Sequence, residues 1–418
     1  NVLIFERAKE ELRAGKNSRN AIADGYSNAF SAIFDSNLTS IITGVILLLF
    51  GTGPIKGFAT TLIIGLVCSF FTAVYLSRLF FLWYFKSKKN PELQFSTAIS
   101  RKMFTDSKIN FLDQRKVSFG VVGAIVAIVI VSLFARGLNQ GIDFSGGRNY
   151  IVKFDHPVDR SNIEGRLQQA FPGASVSVIN IQSSDQVRIS TNYKIEDGDP
   201  AVEREITDKL RAGMTDKEFS TTDASQGIVQ SQKVGPTVAD DMRTDAYVAV
   251  IIAMIAMFLY ILVRFRNIAF SLGALAAVAF TAFAIIGFYS LFYGVLPFAM
   301  EIDQTFIAAI LTVIGYQIND TVVVFDRVRE NVGLYPKETF FNTINKSINS
   351  TLGRTIMTSC STLLVLLCIF ILGGDAIRSF VFAKIWGVII GTLATIYVAS
   401  PVAYLADSRR KRAAAVKK

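Results

Sequence analysis

Eight apolar runs, at about 36–51, 57–85, 118–136, 245–263, 268–290, 304–325, 354–373 and 379–405, punctuate the chain. Each comes close to the roughly 20 residues that a helix needs to cross the hydrocarbon of a bilayer. The first is short before Gly51 and is expected to take Asn37 to Ser40 as its start. Cations gather at alternate ends of the runs: Lys86, Lys88 and Lys89 after the second, Arg115 and Lys116 before the third, Arg264 and Arg266 between the fourth and fifth. Arg327 and Arg329 follow the sixth, and Arg409 to Arg412 close the eighth. Placing all of them inside gives strict in–out alternation. Both termini and the 86–117 segment then lie inside, and a polar insert at about 137–243 lies outside.

The insert has a different rhythm. GGRNYIVKF (146–154), ASVSVINI (174–181) and QVRIST (186–191) alternate like strands, whereas SNIEGRLQQAF (161–171) and PAVEREITDKLRAGM (200–214) carry apolar residues at helical spacing. Strands interleaved with helices over about 100 residues predict a small α+β domain of the ferredoxin-like kind. The predicted fold class is a polytopic α-helical membrane protein with one small extracytoplasmic domain.

Composition agrees: 51% of the 418 residues are hydrophobic and 34 are phenylalanine, with a mean hydropathy of +0.42. The net charge of +10 could serve a nucleic-acid partner. The distribution of Lys and Arg at span ends favours topology instead, so no nucleic acid is expected. Cys68, Cys360 and Cys368 lie in apolar runs without metal spacing, and the one histidine, His156, lies in the insert as an expected surface residue. GTGPIKG (51–57) lacks the lysine–hydroxyl ending of a phosphate loop. Neither a cofactor nor a metal is implied, and nothing points to an enzyme.

The two ends of the chain resemble each other. NVLIFERAKEEL (1–12) aligns with VVVFDRVRENV (322–332), placing Phe5 on Phe325, Glu6 on Asp326, Arg7 on Arg327 and Glu10 on Glu330. SAIFDSNLTS (31–40) aligns with STLGRTIMTS (350–359), with Asp35 where Arg354 lies, and each block leads into two runs joined by a short loop, GTGPIKG or GGDAIRS. Residues 1–90 thus read as the second half of one repeat and 118–410 as a whole one, an arrangement common in transporters. The N-terminus reads as a helix leaving a membrane, so the chain is expected to begin within an element.

The polar residues inside the sixth run carry the candidate chemistry. GYQINDTVVVFDRVREN (315–331) sets Gln317, Asn319 and Asp320 within an otherwise apolar helix. A carboxylate at mid-membrane costs about 2.5–3.5 kcal/mol on insertion scales and marks ion pathways often; a buried structural residue is the other reading. Arg354, if its helix begins near Asn349, lies at similar depth and is the expected partner, gripping Asp320 through both nitrogens of its guanidinium; alone it reads as a snorkelling interface residue. Thr358 and its neighbours either line a water path or bond their own backbone. Asp326, Arg327, Arg329 and Glu330 read as an ion-pair cluster closing the bundle. Gly146 and Gly147, after Asp143 and Phe144, read as a tight turn into a strand. Gly273, Ala276, Ala277 and Ala284 read as close helix packing.

GIDFSGGRNYIVKF (141–154), VGPTVADDMRTDA (234–246) and GYQINDTVVVFDRVREN resemble SecF, and NVLIFERAKEELRAGKN with DSNLTS resembles the C-terminal part of SecD. The chain is therefore similar to SecD–SecF fusions of the SecD/SecF protein-export family, within the resistance–nodulation–division superfamily. That resemblance implies residues 1–90 as the C-terminal part of a SecD-like membrane half and 91–117 as a cytoplasmic linker. It implies 118–136 as the first SecF-like span, 137–243 as the periplasmic domain, 244–405 as a five-span bundle and 406–418 as a basic tail. It further implies a multi-pass protein of the bacterial inner membrane that uses the proton-motive force to assist export, with the Sec channel complex and an unfolded preprotein as partners. Asp320 and Arg354 match the family's proton-relay pair, with Gln317, Asn319 and Thr358 beside them, and Asp143, Phe144, Gly146 and Gly147 match its motif in the outer domain. The SecD half of the family has a second membrane aspartate just before the Asn that this sequence starts with, so a missing N-terminal SecD part is an expected partner. The alternatives are a small-molecule or lipid exporter of the same superfamily, and a scaffold that conducts nothing.

Overall fold

A computed structural model describes residues 2–416 apart from 53, 88–92, 94–107, 155, 182, 198, 215–226, 294, 297 and 299. Most of the expected 91–117 linker, and Asn1, lie outside the described residues.

The apolar runs become long helices: α1 (Val2–Arg13), α2 (Ser18–Phe50), α3 (Pro54–Phe71, carried through a π-helical turn at Thr72–Leu76 into Ser77–Ser87) and α4 (Arg115–Arg136). After a single turn, α5 (Ile142–Ser145), and the small domain come α8 (Pro236–Phe265), α9 (Ile268–Phe292), α10 (Gln304–Leu334) and α11 (Phe340–Leu372). The last is α12 (Asp375–Ala394, carried through a second π turn at Thr395–Ala399 into Ser400–Val416). Among the described residues, eight helices are long and apolar enough to cross a membrane.

Several helices outrun their apolar runs on the side away from the small domain. α2 starts at Ser18, not near Asn37, and α11 at Phe340, not near Asn349. Hydropathy registers only the stretch in hydrocarbon, whereas the helix continues to its cap. Asn17 accepts from the Asn20 N–H at 2.8 Å, and Thr339 accepts from that of Asn342 at 3.3 Å.

α10 is the axis of the bundle, packed against α2, α8, α9, α11 and α12. Its apolar face joins the main core through residues such as Phe306, Ile314 and Phe325. The small residues on α9 admit close neighbours: Gly273 lies against the Ala399 and Ala403 backbone of α12. The outward faces of α3 and α11 remain apolar and exposed, as at Phe80, Trp83, Leu364 and Leu372, which suits lipid contact. Cys68, Cys360 and Cys368 are exposed there too.

The small domain consists of β1 (Gly147–Lys153), α6 (Arg160–Ala170), β2 (Val176–Ile181), β3 (Ser183–Thr191), α7 (Pro200–Met214) and β4 (Ile228–Val234). The sheet order is β2–β3–β1–β4 and every pairing is antiparallel. With one helix after β1 and another after β3, this is the βαββαβ ferredoxin-like topology. Its core joins Tyr150, Phe154, Leu167, Phe171, Ile189 and Ile206. β4 has no counterpart among the predicted strands: in IVQSQKV only Val234 is buried, so no apolar alternation marks it. His156 is exposed, as expected.

Candidate functional site

Asp320 sits in α10 with 4% of its surface exposed, beside Gln317 at 1% and Thr321 at 0%. Thr321 has clear partners, bonding the Gln317 carbonyl at 3.1 Å and the Thr395 hydroxyl of the second π turn at 3.0 Å. The others do not. Both amide atoms of Gln317, Asn319 Oδ1, Asp320 Oδ2 and Arg354 Nε are buried without a hydrogen-bond partner among the described residues. Groups in this state are costly and uncommon in finished interiors. Glycines press the polar stripe close to its neighbours: Gly391 of α12 packs on the Gln317 side chain, and Gly315 packs on Ser40 and Thr43 of α2.

Arg354 faces this stripe from α11 and is coupled electrostatically to Asp320, with Arg7, Glu6 and Tyr316 also acting on it. The expected two-pronged grip is absent: no ion pair within 4 Å joins the two side chains, so they interact across a gap. The reason lies in the backbone, since Arg354 is set lower on its helix. Arg327 of α10 reaches Ser350 of α11 at 3.3 Å, and Asn331 reaches Ser347 at 2.8 Å. These rungs place Arg354 level with about residue 323, roughly one turn below Asp320 at 1.5 Å per residue. Thr358 spends its hydroxyl on the Arg354 and Thr355 carbonyls, its self-bonding alternative.

Arg354 also lines a cavity of about 800 Å³ that opens between α1, α2, α10 and α11 on the side away from the small domain. Glu6, Arg7, Arg327, Asn349 and Thr351 share its wall. A space of that size is large enough for water to enter, so Arg354 is placed between this cavity and the buried stripe that holds Asp320.

A second intramembrane pair was hidden in the sequence. Asp35 of α2, 9% exposed at its side chain, receives Arg264 Nε of α8 at 2.6 Å. Arg264 also donates to Ser31 at 3.0 Å and lies 3.7 Å from Asp326, which is held by Arg329 at 2.6 Å. Arg264 looked like a topology marker and Asp35 only a mismatch in the repeat; their 229-residue separation left no local signal.

At the other end of α10 the small domain is tied directly to the helix. Gly141 donates to the Ile302 carbonyl at 3.0 Å and Ile302 to that of Asn139 at 2.8 Å. Asp143 accepts from the Gln304 N–H at 3.3 Å, and Asp303 caps α10 by accepting from Phe306 at 2.7 Å. Burial pushes the Asp303 carboxyl up to about 7 despite that cap, with Asp143 and Glu301 adding to the effect and Arg188 opposing it. Asp143 is raised for the same reason. Phe144 is buried in the bundle core. Gly146 has φ +73°, and a Cβ on Gly147 would meet Ile142 and the Thr191 carbonyl, so both glycines serve the backbone turn into β1.

The fold and site define a polytopic helical membrane protein built on an internal repeat, with an ionisable pair shared between the central helix of its fuller copy and the helix that follows it. Residues 214–409 match the family described as protein export membrane protein SecD/SecF, C-terminal, residues 131–158 match the SecD/SecF GG motif, and residues 1–77 match the MMPL family. The protein translocase subunit SecF of Rhodothermus marinus is 39% identical over 302 residues, covering 72% of this chain and 94% of that protein. The protein translocase subunit SecDF of Thermus thermophilus is 32% identical over 413 residues, covering 98% of this chain and 53% of that protein. The crystal structure of Thermus thermophilus SecDF, described as a translocon-associated membrane protein, superposes with a TM-score of 0.80 at 31% identity, over 97% of this chain and 52% of that one. The chain belongs to the SecD/SecF family, and it spans about half the length of the SecDF relatives it matches.

Proposed function

We propose that this chain is part of a Sec-associated export apparatus in which proton binding at Asp320, opposite Arg354, couples the proton-motive force to polypeptide movement. The observation that carries the reading is the Asp320 carboxylate itself: buried in the central helix, with one oxygen lacking a protein partner and its cation held one turn away beside a cavity large enough for water. A structural ion pair in a membrane interior closes to contact and satisfies its hydrogen bonds. This pair is instead arranged to change with charge. A proton on Asp320 abolishes its attraction for Arg354, and loss of that proton restores it, so α10 and α11 have a reason to adopt two spacings. One charge crossing 100 mV supplies about 2.3 kcal/mol, enough to bias such spacings.

The stroke has a direct route outward, because α10 carries Asp320 in its middle, and Ile302 and Gln304 at its start bond Asn139, Gly141 and Asp143 at the entry to the small domain. In this reading the small domain lies in the periplasm, the cavity faces the cytoplasm, and the partners are the Sec channel, the emerging polypeptide and SecD-like spans beyond this sequence. The test is export by inverted inner-membrane vesicles carrying the full-length protein. Asp320→Asn is expected to assemble normally and to lose the part of export that an imposed proton gradient stimulates. Undiminished stimulation overturns the reading, and loss of assembly instead favours a scaffold.

A further inference from the structure

Arg7 and Arg327 hold matching places in the repeat, as do Glu10 and Glu330. Each arginine bonds the glutamate one turn along its own helix, Arg7 Nη1 to Glu10 Oε2 at 2.8 Å and Arg327 Nη1 to Glu330 Oε2 at 2.9 Å. Each arginine's other terminal nitrogen crosses to the opposite copy. Arg7 Nη2 reaches Glu330 Oε2 at 3.4 Å, and Arg327 Nη2 reaches Glu10 Oε1 at 3.1 Å. The four side chains form a closed ring in which the copies exchange the same contacts, the intrachain counterpart of a two-fold interface. Three of them, Arg7, Glu10 and Arg327, line the cavity that holds Arg354, and Arg7 acts on Arg354 electrostatically.

We propose that this reciprocal ring is a positioning device for the Asp320–Arg354 pair, tying α1 of one copy to α10 of the other and setting how freely water reaches Arg354 from the cavity. The inference rests on the reading of those two residues as the proton site. The side chains are between 20% and 44% exposed, where single ion pairs are weak, so the ring opens easily. Two within-helix links keep each half assembled when the two crossing links part. Opening separates α1 from α10 and widens the approach to Arg354; closing narrows it.

The symmetry supplies the test. Arg7→Glu with Glu10→Arg keeps the pair within α1 but makes both crossing contacts repulsive; Arg327→Glu with Glu330→Arg does the same from α10. All four substitutions together restore every contact with inverted sign. The probe is a membrane-impermeant maleimide reacting with Thr351→Cys, a buried cavity-lining position, in full-length protein whose native cysteines are serine. Each half-inversion is expected to speed labelling by about ten-fold, the loss of a few weak ion pairs. The full inversion is expected to return it to within about two-fold of the starting rate. Unchanged labelling in the half-inversions, or no restoration by the full inversion, overturns the proposal. Should a half-inversion fail to assemble, Glu10→Gln with Glu330→Gln takes its place with the same expectation and the same overturning result. The labelling involves no proton flux, so it judges the ring separately from the outcome of Asp320→Asn.

Discussion

Asp35 and Arg354 stand at nearly the same height on two different neighbours of α10, with opposite charge and with different kinds of partner. Gly315 packs on Ser40 and Thr43 of α2, and Arg327 bonds Ser350 of α11, which fixes the two heights. Asp35 is closed to contact with Arg264 at 2.6 Å, while Arg354 is held apart from Asp320. The repeat has kept the position and divided the labour: one copy holds a tight pair and the other an open one.

The tight pair should behave as structure. Asp35→Asn removes the carboxylate charge beside Arg264 and leaves its 3.7 Å approach to Asp326 as the remaining ion pair, with the Ser31 hydroxyl and the Phe265 ring as neutral contacts. Breaking a buried pair costs about 3–5 kcal/mol, and the partial exposure of Arg264 brings the expectation to about 2 kcal/mol. Thermal unfolding in detergent should show it, with at least half recovered when Asp35→Arg is combined with Arg264→Asp. A fall below about 0.5 kcal/mol would show the pair to be incidental.

The domain end of α10 should respond to pH. Asp303 has its folded-state value raised to about 7, well above that of an unfolded aspartate. Its contribution to stability is therefore fully present below about pH 4 and is lost as pH rises through about 7. The melting temperature is expected to decline from pH 5.5 to 8, and Asp303→Asn to flatten that decline. An equal decline in the variant would assign it to other groups, with Asp143 the first to examine.

Glycines on the buried and lipid-facing sides of the spans should differ sharply. A Cβ on Gly387 would overlap Val313 of α10, so Gly387→Leu should destabilise by about 1–3 kcal/mol through overpacking. Gly65 meets nothing within 4 Å, and Gly65→Ala should be neutral or stabilise by up to about 1 kcal/mol through helix propensity. Urea titration in micelles compares the two, and equal effects would contradict the packing described.

The turn after α5 makes a third contrast. Gly146→Ala forces an alanine to φ 73° and ψ 152°, a region that glycine alone enters readily, at a cost of about 1–3 kcal/mol. Gly147→Ala is expected to cost more, because its Cβ meets the Thr191 backbone across β1 and β3, which cannot give way as a side chain can. Protease sensitivity of the small domain would rank them, and the reverse order would place strain above contact.

The eight spans, the α+β insert and the buried carboxylate of Asp320 were all legible, because each is written locally in hydropathy, alternation or an out-of-place charge. Helix ends were not: Ser18 and Phe340 begin polar, capped extensions that hydropathy cannot see. β4 escaped because it buries little. The repeat alignment located Arg7, Glu10, Arg327 and Glu330 but not their reciprocity, since a register says which residues correspond and not which touch. The direct Asp320–Arg354 grip was the clearest error, and it came from reading similar depth as contact when the helices differ by a turn.

The two π turns hold a final consequence. Thr72–Leu76 begins 17 residues after Ile55, and Thr395–Ala399 begins 18 residues after Ile377, which follow the matching Gly51 and Gly373 stops. A widened turn leaves backbone bonding imperfect and favours functional hinges. The two copies, which differ in charge at Asp35 and Arg354, share this widened turn within one residue of the same place. Each widened turn therefore gives its closing span a built-in place to bend, at matching positions in the two copies to within one residue.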